Sequence, residues 1–453
     1  MPGMEDRPDS ARKVGLLTAA ALVVGHTIGV GIFLTPGQFL GALASPAWTL
    51  GLWLTCGAFV LAGALTFGEL ANRYPRTGGL YVYLREAWGE RVGFLYGWQS
   101  LLVMDPGVTA ALALGLSEYL VVAWPAAAGS EKWLALGAIW ALALVNMAGL
   151  KVSARTLNAL TLAKVAALVA IVAGSFTVAS GNWSHFIPFY ARRSGAPPIG
   201  EAIGLGLAGA FYSFGGFWEA SRVAEEIREP RRRLPAAFAL GVGIVTALYV
   251  ATTVAFLYLV PAEQMPDAAE FGRRAGRALL GASGPAVLAW IVALSVVASA
   301  LALLLMAPRL YVAMSRDRLF PATLASLDPR TGAPARATAV LAALASLYVL
   351  SGSFPQIVAF FLCTALVFVA LAAAGVFVAR RRDPHPEGFL APGYPLTPAL
   401  FVLFLVAVAA VIALARPVPA VAGFALVLAG LPVYGLLAAR GSIGPSISRG
   451  GRS

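Results

Sequence analysis

Long apolar segments follow one another along almost the whole chain, and charged residues collect in the short stretches between them. A helix that crosses a bilayer needs about 20 predominantly apolar residues. The pattern predicts twelve such spans, at 14–41, 46–71, 92–122, 133–150, 157–180, 201–227, 236–260, 284–310, 335–352, 356–380, 396–415 and 418–439. The chain is therefore predicted to be an all-α integral membrane protein.

The composition agrees with a chain that lies mostly in lipid. Of its 453 residues, 59% are hydrophobic and 12% are charged, whereas a soluble domain carries about 25% charged residues. The longest stretches between predicted spans, 181–200 and 261–283, leave no room for a soluble domain. Both cysteines, Cys56 and Cys363, fall within predicted spans, so no disulfide framework is expected.

The basic charge of the chain is divided unevenly between the two sides of the predicted membrane. The net charge is +12. With the amino terminus in the cytoplasm, the inner segments hold 24 Lys and Arg residues and the outer segments hold 7. The positive-inside rule predicts this distribution for an even number of spans, with residues 1–13 and 440–453 as cytoplasmic tails. Membrane topology explains the charge, so no nucleic-acid partner is expected.

Two predicted spans are interrupted by residues that weaken a membrane helix. Residues 24–33, "VGHTIGVGIF", place three glycines and a histidine inside the first span. Residues 211–219, "FYSFGGFWE", place a glycine pair and a glutamate inside the sixth span. Glycine destabilises a helix interior, and ionisable side chains are costly in lipid. Both stretches therefore point to a local requirement that overrides helix stability.

The interrupted spans occupy corresponding places in the chain. They are the first helices of two predicted five-helix repeats, at 14–180 and 201–380, which begin on opposite sides of the membrane and are therefore inverted. Spans eleven and twelve, at 396–439, lie outside this pseudo-symmetry. Paired glycine-interrupted helices indicate the midplane binding site of a transporter. Glycines that only permit close helix packing are the alternative, but the matched placement favours a binding site.

Unwound backbone within a membrane needs polar partners, because hydrocarbon supplies none. An amino acid can provide them. Its carboxylate can accept from the free amides at the start of a half-helix, where the helix dipole favours an anion, and its ammonium can donate to the carbonyls that end the preceding half-helix. Glycines allow the backbone angles and the close approach that this arrangement requires.

Three motifs resemble those of a known family. They are "VGHTIGVGIF" with the following Thr35, Pro36 and Gly37, then "FGELANRYPRTGGLYVYL" at 67–84, and "GGFWEASRVAEEIREPRRRLP" at 215–235. Together they resemble the amino acid–polyamine–organocation permeases, most closely the L-type amino acid transporter branch and its bacterial relatives. The resemblance implies a LeuT-like fold of two inverted five-helix repeats plus two helices, with alternating access to a central amino acid site.

The resemblance also implies a set of substrate-binding residues. By position, the substrate carboxylate would meet the amides of Val30 and Gly31, and the ammonium would meet the carbonyls of Thr27, Tyr212 and Gly215. Tyr212 or Phe214 would be an aromatic gate. The full predicted set is Thr27, Ile28, Gly29, Val30, Gly31, Tyr212, Phe214, Gly215 and Gly216. Many relatives carry a serine where this chain has Val30, so a side-chain contact to the carboxylate is lost here.

Lys164 lies in the fifth predicted span, about two turns from the start of that span on the cytoplasmic side. In several sodium-independent relatives, a lysine at the corresponding place looks to replace the sodium ion and to hold the unwound first helix with its ammonium. The alternative is a lysine that snorkels to the inner interface. The resemblance favours the functional role and hence sodium-independent transport. A buried lysine can also lose its proton, so proton coupling stays open.

Three further ionisable residues are gating or coupling candidates because such groups are costly in a membrane. His26 precedes the first interruption, and its structural alternative is a hydrogen-bonded packing histidine. Asp105 lies midway along the third span, and its alternative is a carboxylate bound to backbone or to a basic side chain. Glu219 either lines the substrate pocket or pairs with Arg222 at the favourable i, i+3 spacing. The ion pair is the favoured interpretation of Glu219.

These features predict a secondary transporter for amino acids in the cell membrane, with neutral amino acids as the favoured substrates. A cationic amino acid or polyamine permease is the alternative, supported by Glu219. An ion channel would need a repeated filter segment or charged rings, and neither appears. An enzyme is disfavoured because no cluster of metal ligands or nucleophile and base appears, and no cofactor or metal is expected. The segment between spans three and four has no cysteine, so no disulfide-linked accessory subunit is expected.

Overall fold

The structure is a computed structural model that describes residues 14–29, 31–178, 181–192, 195–261, 268–352, 354–384 and 386–439. Within these ranges the backbone is helical or irregular, apart from one isolated parallel bridge between Val14 and Ile227. This bridge ties the start of the described chain to the segment that follows the sixth predicted span. Val14 N donates to Glu226 O (3.0 Å), and Arg228 N donates to Val14 O (2.9 Å).

The described residues form seventeen α-helices. In chain order they are α1 (Leu16–Thr27), α2 (Gly31–Leu43), α3 (Pro46–Arg73), α4 (Leu80–Trp88), α5 (Glu90–Gln99), α6 (Asp105–Ala123), α7 (Glu131–Met147), α8 (Leu150–Ser175), α9 (Ile199–Phe214), α10 (Pro230–Leu259), α11 (Ala268–Leu280), α12 (Gly284–Arg316), α13 (Ala335–Ser351), α14 (Phe354–Arg382), α15 (Leu396–Ala415), α16 (Pro417–Leu428) and α17 (Gly430–Ala439). A π-helical stretch, Ser100–Met104, joins α5 to α6.

Eight helical stretches among the described residues are long and apolar enough to cross a bilayer. Two further apolar helices, α1 and α13, have fewer residues than the about 20 that a full crossing needs. The chain is therefore a multi-pass, all-helical membrane protein. Within the helix bundle, α3 packs along α10 and α6 packs along α12, while α1 lies among α8, α10 and α12.

Two sequence-based predictions of element boundaries need correction. The fifth span was predicted at 157–180, but α8 runs from Leu150 to Ser175. Lys151 and Arg155 lie in its first turns, so a charged segment expected to be a loop is helical. The stretch 261–283 was predicted as a loop, but it contains α11. Its sequence, "AAEFGRRAGRALL", mixes charged and apolar residues and so lacks the long apolar run by which spans were identified.

The short helix α4 follows α3 and packs against the bundle. Its first five residues, Leu80–Leu84, are buried. Gly78 and Gly79 precede it with φ of 123° and 57°, a backbone region that favours glycine. Tyr81 donates to Asp317 Oδ2 (2.6 Å) at the end of α12. Burial raises the pKa of the Tyr81 phenol, so the group stays protonated and able to donate.

Candidate functional site

The first predicted span is interrupted within its glycine-containing stretch, as the sequence predicts. The helix α1 ends at Thr27, and Ile28 has an extended backbone with φ −76° and ψ 93°. The helix α2 begins at Gly31. Val30, predicted to bind the substrate carboxylate, lies outside the described residues. The first amides of a helix have no partner within that helix, so the start of α2 presents free N–H groups and the positive end of its dipole at the interruption.

Lys164 of α8 holds the end of α1. Its Nζ donates to Gly25 O (2.7 Å) and Ile28 O (2.5 Å), and it lies 3.4 Å from Ser295 O and from Ser299 Oγ of α12. Because α8 begins at Leu150, Lys164 lies about 21 Å along the helix, at 1.5 Å per residue, rather than two turns from its start. The side chain is fully buried, so the snorkelling alternative is wrong.

Two serines of α12 share these acceptors with Lys164. Ser299 Oγ donates to Ile28 O (2.8 Å) and also lies 3.1 Å from Gly25 O, while Ser295 Oγ lies 3.1 Å from Ile28 O. The carbonyls freed by the end of α1 are therefore bound by an ammonium and two hydroxyls. Neither serine was predicted as a site residue, although their i, i+4 spacing within an apolar span is a usable signal.

The second interruption separates α9 from a 3₁₀-helical segment, Phe217–Glu226. Between them Gly216 has φ 94°, a left-handed conformation that L side chains rarely adopt. Gly215 N donates to Tyr212 O (3.2 Å). Tyr249 of α10 donates to Ser213 O (2.6 Å), and its hydroxyl lies 3.1 Å from Thr27 O. Tyr249 therefore links the two interruptions through their carbonyls.

The two interruptions are in direct contact. A Cβ added to Gly31 would lie 2.8 Å from Ser213 Cβ, and a Cβ added to Gly216 would lie 2.1 Å from His26 Cδ2. Both glycines are therefore required for close packing of α1 and α2 against the interrupted sixth span. These glycines therefore do permit close helix packing, as the alternative interpretation of them states. A cavity lies at the interface that this packing produces.

This cavity has a volume of about 80 Å³ and lies between the two interruptions. This volume is several times the ~10–15 Å³ that one water molecule needs. Six residues of the predicted substrate-binding set line it: Thr27, Gly29, Gly31, Tyr212, Gly215 and Gly216. His26, predicted as a gating or coupling candidate, also lines it. The two interrupted segments thus contribute to the wall of the cavity.

The remaining residues of the cavity wall are mostly apolar. Met104, Val108 and Leu112 line it from the third span, Leu303 from α12, and Phe361, Leu362, Ala365, Leu366 and Val369 from α14. Phe211 and Trp218 complete the aromatic part of the wall. The contribution of α14 could not be predicted from the sequence, because its residues in the cavity wall are ordinary apolar residues of an apolar span. A wall that combines interrupted backbone with apolar side chains suits a ligand that has both a polar and an apolar part.

The structure does not bring every predicted residue to the cavity. Phe214 is buried in the core, with its ring 5.1 Å from Tyr249 and 5.9 Å from Trp53, and it is not part of the cavity wall. Of the two aromatic candidates, only Tyr212 lines the cavity. The side chain of Ile28 is also buried away from it, and Ile28 contributes its carbonyl to Lys164 instead.

Asp105 lies outside the cavity wall, in a buried polar cluster. Arg222 Nη1 donates to both of its oxygens, at 3.1 Å and 3.0 Å. Ser100 (2.8 Å) and Tyr311 (2.9 Å) donate to Asp105 Oδ2. The sequence does not indicate which basic side chain binds Asp105, and in the structure this side chain is Arg222. The π-helical stretch Ser100–Met104 immediately precedes Asp105, and its last residue, Met104, lines the cavity.

Glu219 belongs to the same cluster. Arg222 Nε lies 2.5 Å from Glu219 Oε2, so the predicted i, i+3 ion pair is present. Arg222 Nη2 also donates to Tyr96 (3.1 Å) and Ser100 (3.1 Å). Glu219 does not line the cavity, so its carboxylate is not placed to bind the side chain of a substrate there.

The fold and the site together define a class of protein. A multi-pass helical protein with a cavity between two interrupted, mutually contacting helices has the organisation of a membrane transporter. The family model for amino acid permeases matches residues 14–437, and the chain belongs to this family, within the amino acid–polyamine–organocation superfamily.

Named relatives agree with this assignment. The chain is 31% identical over 381 residues to the b(0,+)-type amino acid transporter 1 of Oryctolagus cuniculus, which covers 82% of this chain and 76% of the relative. It is 29% identical over 440 residues to the cystine/glutamate transporter of Homo sapiens, and this alignment covers 96% of this chain and 86% of that relative. It is 26% identical over 432 residues to the serine/threonine exchanger SteT of Bacillus subtilis, and this alignment covers 93% of this chain and 96% of that relative.

Proposed function

We propose that this protein is a secondary transporter that moves neutral amino acids across the cell membrane by alternating access. The observation that carries the proposal is the cavity between the two interrupted helices, whose wall combines residues of both interruptions with apolar side chains of α6, α12 and α14. The amides at the start of α2 suit a carboxylate. Lys164 and the two serines bind the carbonyls of Gly25 and Ile28, but a carbonyl oxygen has two lone pairs, so the carbonyls of Thr27, Tyr212 and Gly215 suit a substrate ammonium. The apolar wall from α6 and α14 suits an uncharged side chain.

Neutral substrates are favoured over cationic amino acids or polyamines. Glu219 was the feature that supported a cationic substrate, but it lies beside Arg222 and does not line the cavity. The cavity wall contains no Asp, Glu, Lys or Arg among the described residues. A cationic side chain would therefore lose its hydration without gaining a counter-charge, which is unfavourable.

The proposed architecture has twelve spans, arranged as two inverted five-helix repeats plus two further helices. α1 and α2 together form the first span, α9 with the segment Phe217–Glu226 forms the sixth, and α16 with α17 forms the twelfth. Both termini are proposed to be cytoplasmic, on the basis of the unequal distribution of Lys and Arg. The helices α4 and α11 then lie at the membrane surface, on opposite sides.

Sodium independence is proposed from the contacts of Lys164. Its ammonium occupies the space among carbonyl and hydroxyl oxygens of α1 and α12, which are the kind of ligands that an alkali cation would need. An ammonium and a cation cannot occupy this place together. The side-chain nitrogen of Lys164 therefore takes the place that a bound cation would have.

We predict saturable uptake of neutral amino acids by proteoliposomes that contain the purified protein. Uptake of a labelled panel is measured with sodium or choline outside, and with or without unlabelled amino acid inside. Equal rates in sodium and choline are expected, because Lys164 fills the cation position. A strict requirement for sodium would contradict the role of Lys164, and a sustained, non-saturable ionic current would favour a channel instead.

A further inference from the structure

A second cavity, larger than the first, lies between α14 and α15. Its volume is about 390 Å³. It is lined by six residues of α14 between Cys363 and Ala374, by six residues of α15 between Val402 and Ala413, and by Phe424 of α16. We call it the α14–α15 groove.

The lining of the α14–α15 groove is apolar throughout. Cys363 carries its only side chain with a hydrogen-bonding atom, and this thiol donates to Ala409 O (3.7 Å). A buried water molecule needs two to four polar partners, so the groove does not suit water. Val406 and Ala410, which line the groove, are exposed on α15, a helix long and apolar enough to cross a bilayer. The groove therefore opens to lipid, and its occupant is a hydrocarbon.

The dimensions of the groove fit one acyl chain. From Cys363 to Ala374 the groove extends about 16 Å along α14, at 1.5 Å per residue. One leaflet of the hydrocarbon core is about 15 Å thick, half of the whole core. A volume of about 390 Å³ over this length gives a mean cross-section of about 24 Å² and a width of about 5 Å, whereas a helix with its side chains is about 10–12 Å across. The groove is therefore too narrow for a helix of another protein.

A basic residue lies in line with the groove at the end of α14. Val367, Ala374 and Arg381 follow one another at a spacing of seven residues, which places them on one face of the helix. The first two line the groove, and Arg381 lies about 10 Å beyond Ala374. Helical side chains lean toward the amino-terminal end of their helix. For Arg381 this direction is toward the groove.

Arg381 is available to a ligand, unlike the two arginines beside it. Arg380 pairs with Glu69 (2.6 Å), and Arg382 donates to Glu86 O (2.5 Å). Arg381 is exposed and has no hydrogen bond or ion pair within the part of the chain that the structure describes. A guanidinium without a partner beside an apolar groove suits a ligand with an acyl chain and a phosphate.

The groove and the substrate cavity lie on either side of α14. Leu366 lines both of them. Ala365 and Val369 line the cavity, whereas Ala370 lines the groove. A chain bound in the groove therefore packs against the helix that forms part of the cavity wall.

We propose that the α14–α15 groove is a binding site for an anionic phospholipid, with one acyl chain in the groove and the phosphate bound by Arg381. An anionic headgroup is preferred because a zwitterionic one carries its own cation, which the guanidinium repels. The lipid belongs to the cytoplasmic leaflet, since Arg381 lies at the cytoplasmic end of α14 in the proposed topology. The site does not depend on which substrate the protein transports.

Native mass spectrometry of the purified protein tests the role of Arg381. The protein is incubated with equal amounts of dioleoyl phosphatidylglycerol and dioleoyl phosphatidylcholine, and the lipid that stays bound is identified. The wild type is expected to prefer phosphatidylglycerol about fivefold, the effect of one arginine near a membrane surface. Arg381→Gln is expected to lose this preference. Arg336→Gln, which removes an exposed arginine near the start of α13, is the matched control and is expected to keep it.

A second pair of variants tests the groove itself. Ala370→Phe places a phenyl ring in the groove and is expected to lose the bound phosphatidylglycerol. Ala407→Phe adds the same ring at an exposed position of α15 that does not line the groove, and it is expected to retain the lipid. Binding of a labelled amino acid to Ala370→Phe is expected to equal that of the wild type, because Ala370 does not line the substrate cavity.

Three results would overturn the lipid site. In the first, the wild type retains neither lipid, or retains phosphatidylcholine as readily as phosphatidylglycerol. In the second, Arg381→Gln keeps the wild-type preference, or Ala370→Phe keeps the lipid. In the third, the wild type has the mass of a dimer that Ala370→Phe loses, which assigns the groove to a second copy of this chain. Arg381 is exposed, so Arg381→Gln remains informative if Ala370→Phe does not fold. A failure of amino acid transport would contradict the proposed function and not this site.

Discussion

Replacement of Lys164 by methionine is expected to abolish transport. Methionine retains much of the length of the side chain but removes the ammonium that binds the carbonyls of Gly25 and Ile28. Hydrogen bonds to a charged group contribute about 1.5–3 kcal/mol each, so the loss of these two predicts a fall in transport rate of about 10²-fold or more. The initial rate of labelled amino acid uptake measures this effect.

The control for this variant is Lys132→Met, which removes an exposed lysine at the start of α7. It is expected to transport at the wild-type rate. Ser299 can still donate to Ile28 O in Lys164→Met, so the end of α1 keeps part of its bonding and the protein is expected to fold. Wild-type transport by Lys164→Met would show that the ammonium does not hold the interrupted helix in its working conformation.

Replacement of Arg222 by methionine is expected to have the largest effect on stability. Asp105 would remain buried with hydroxyl donors alone and without a cation. Removal of one partner of a buried ion pair costs about 3–5 kcal/mol. Thermal unfolding of the detergent-purified protein should therefore occur at a markedly lower temperature than in the wild type.

A second substitution tests whether the charge of Asp105 causes this loss. In Arg222→Met/Asp105→Asn the carboxylate is gone, so much of the lost stability should return. A double-mutant cycle with the two single variants isolates the interaction between the residues. Additive effects of the two substitutions, or a melting temperature of Arg222→Met equal to that of the wild type, would contradict the assigned role of the pair.

The interruptions in the two spans could be predicted because glycine marks them directly. A left-handed residue such as Gly216, and a close approach such as Gly31 against Ser213, leave a local signature in the sequence. Lys164 could be predicted because a charge in an apolar span is conspicuous, and the family resemblance supplied its role. The sequence underestimates its depth because Lys151 and Arg155 resemble the charges of a loop, although α8 already includes them.

The rest of the site depends on tertiary contacts that leave no local pattern. Asp105 and Arg222 are 117 positions apart, and nothing in either segment indicates the other. The apolar wall from α14 consists of residues such as Phe361 and Leu366, which are indistinguishable in sequence from residues that face lipid. Phe214 was predicted as a possible gate by its position, but its side chain packs on Tyr249 rather than on the cavity.

Binding of a labelled neutral amino acid to variants of α14 tests most directly whether the cavity is the substrate site. Ala365 lines the cavity, whereas Ala370, also on α14, lines a separate apolar groove between α14 and α15. A phenyl ring at position 365 fills much of a cavity of about 80 Å³. Ala365→Phe is predicted to lose binding while Ala370→Phe retains it. Binding by Ala365→Phe with wild-type affinity would contradict the account.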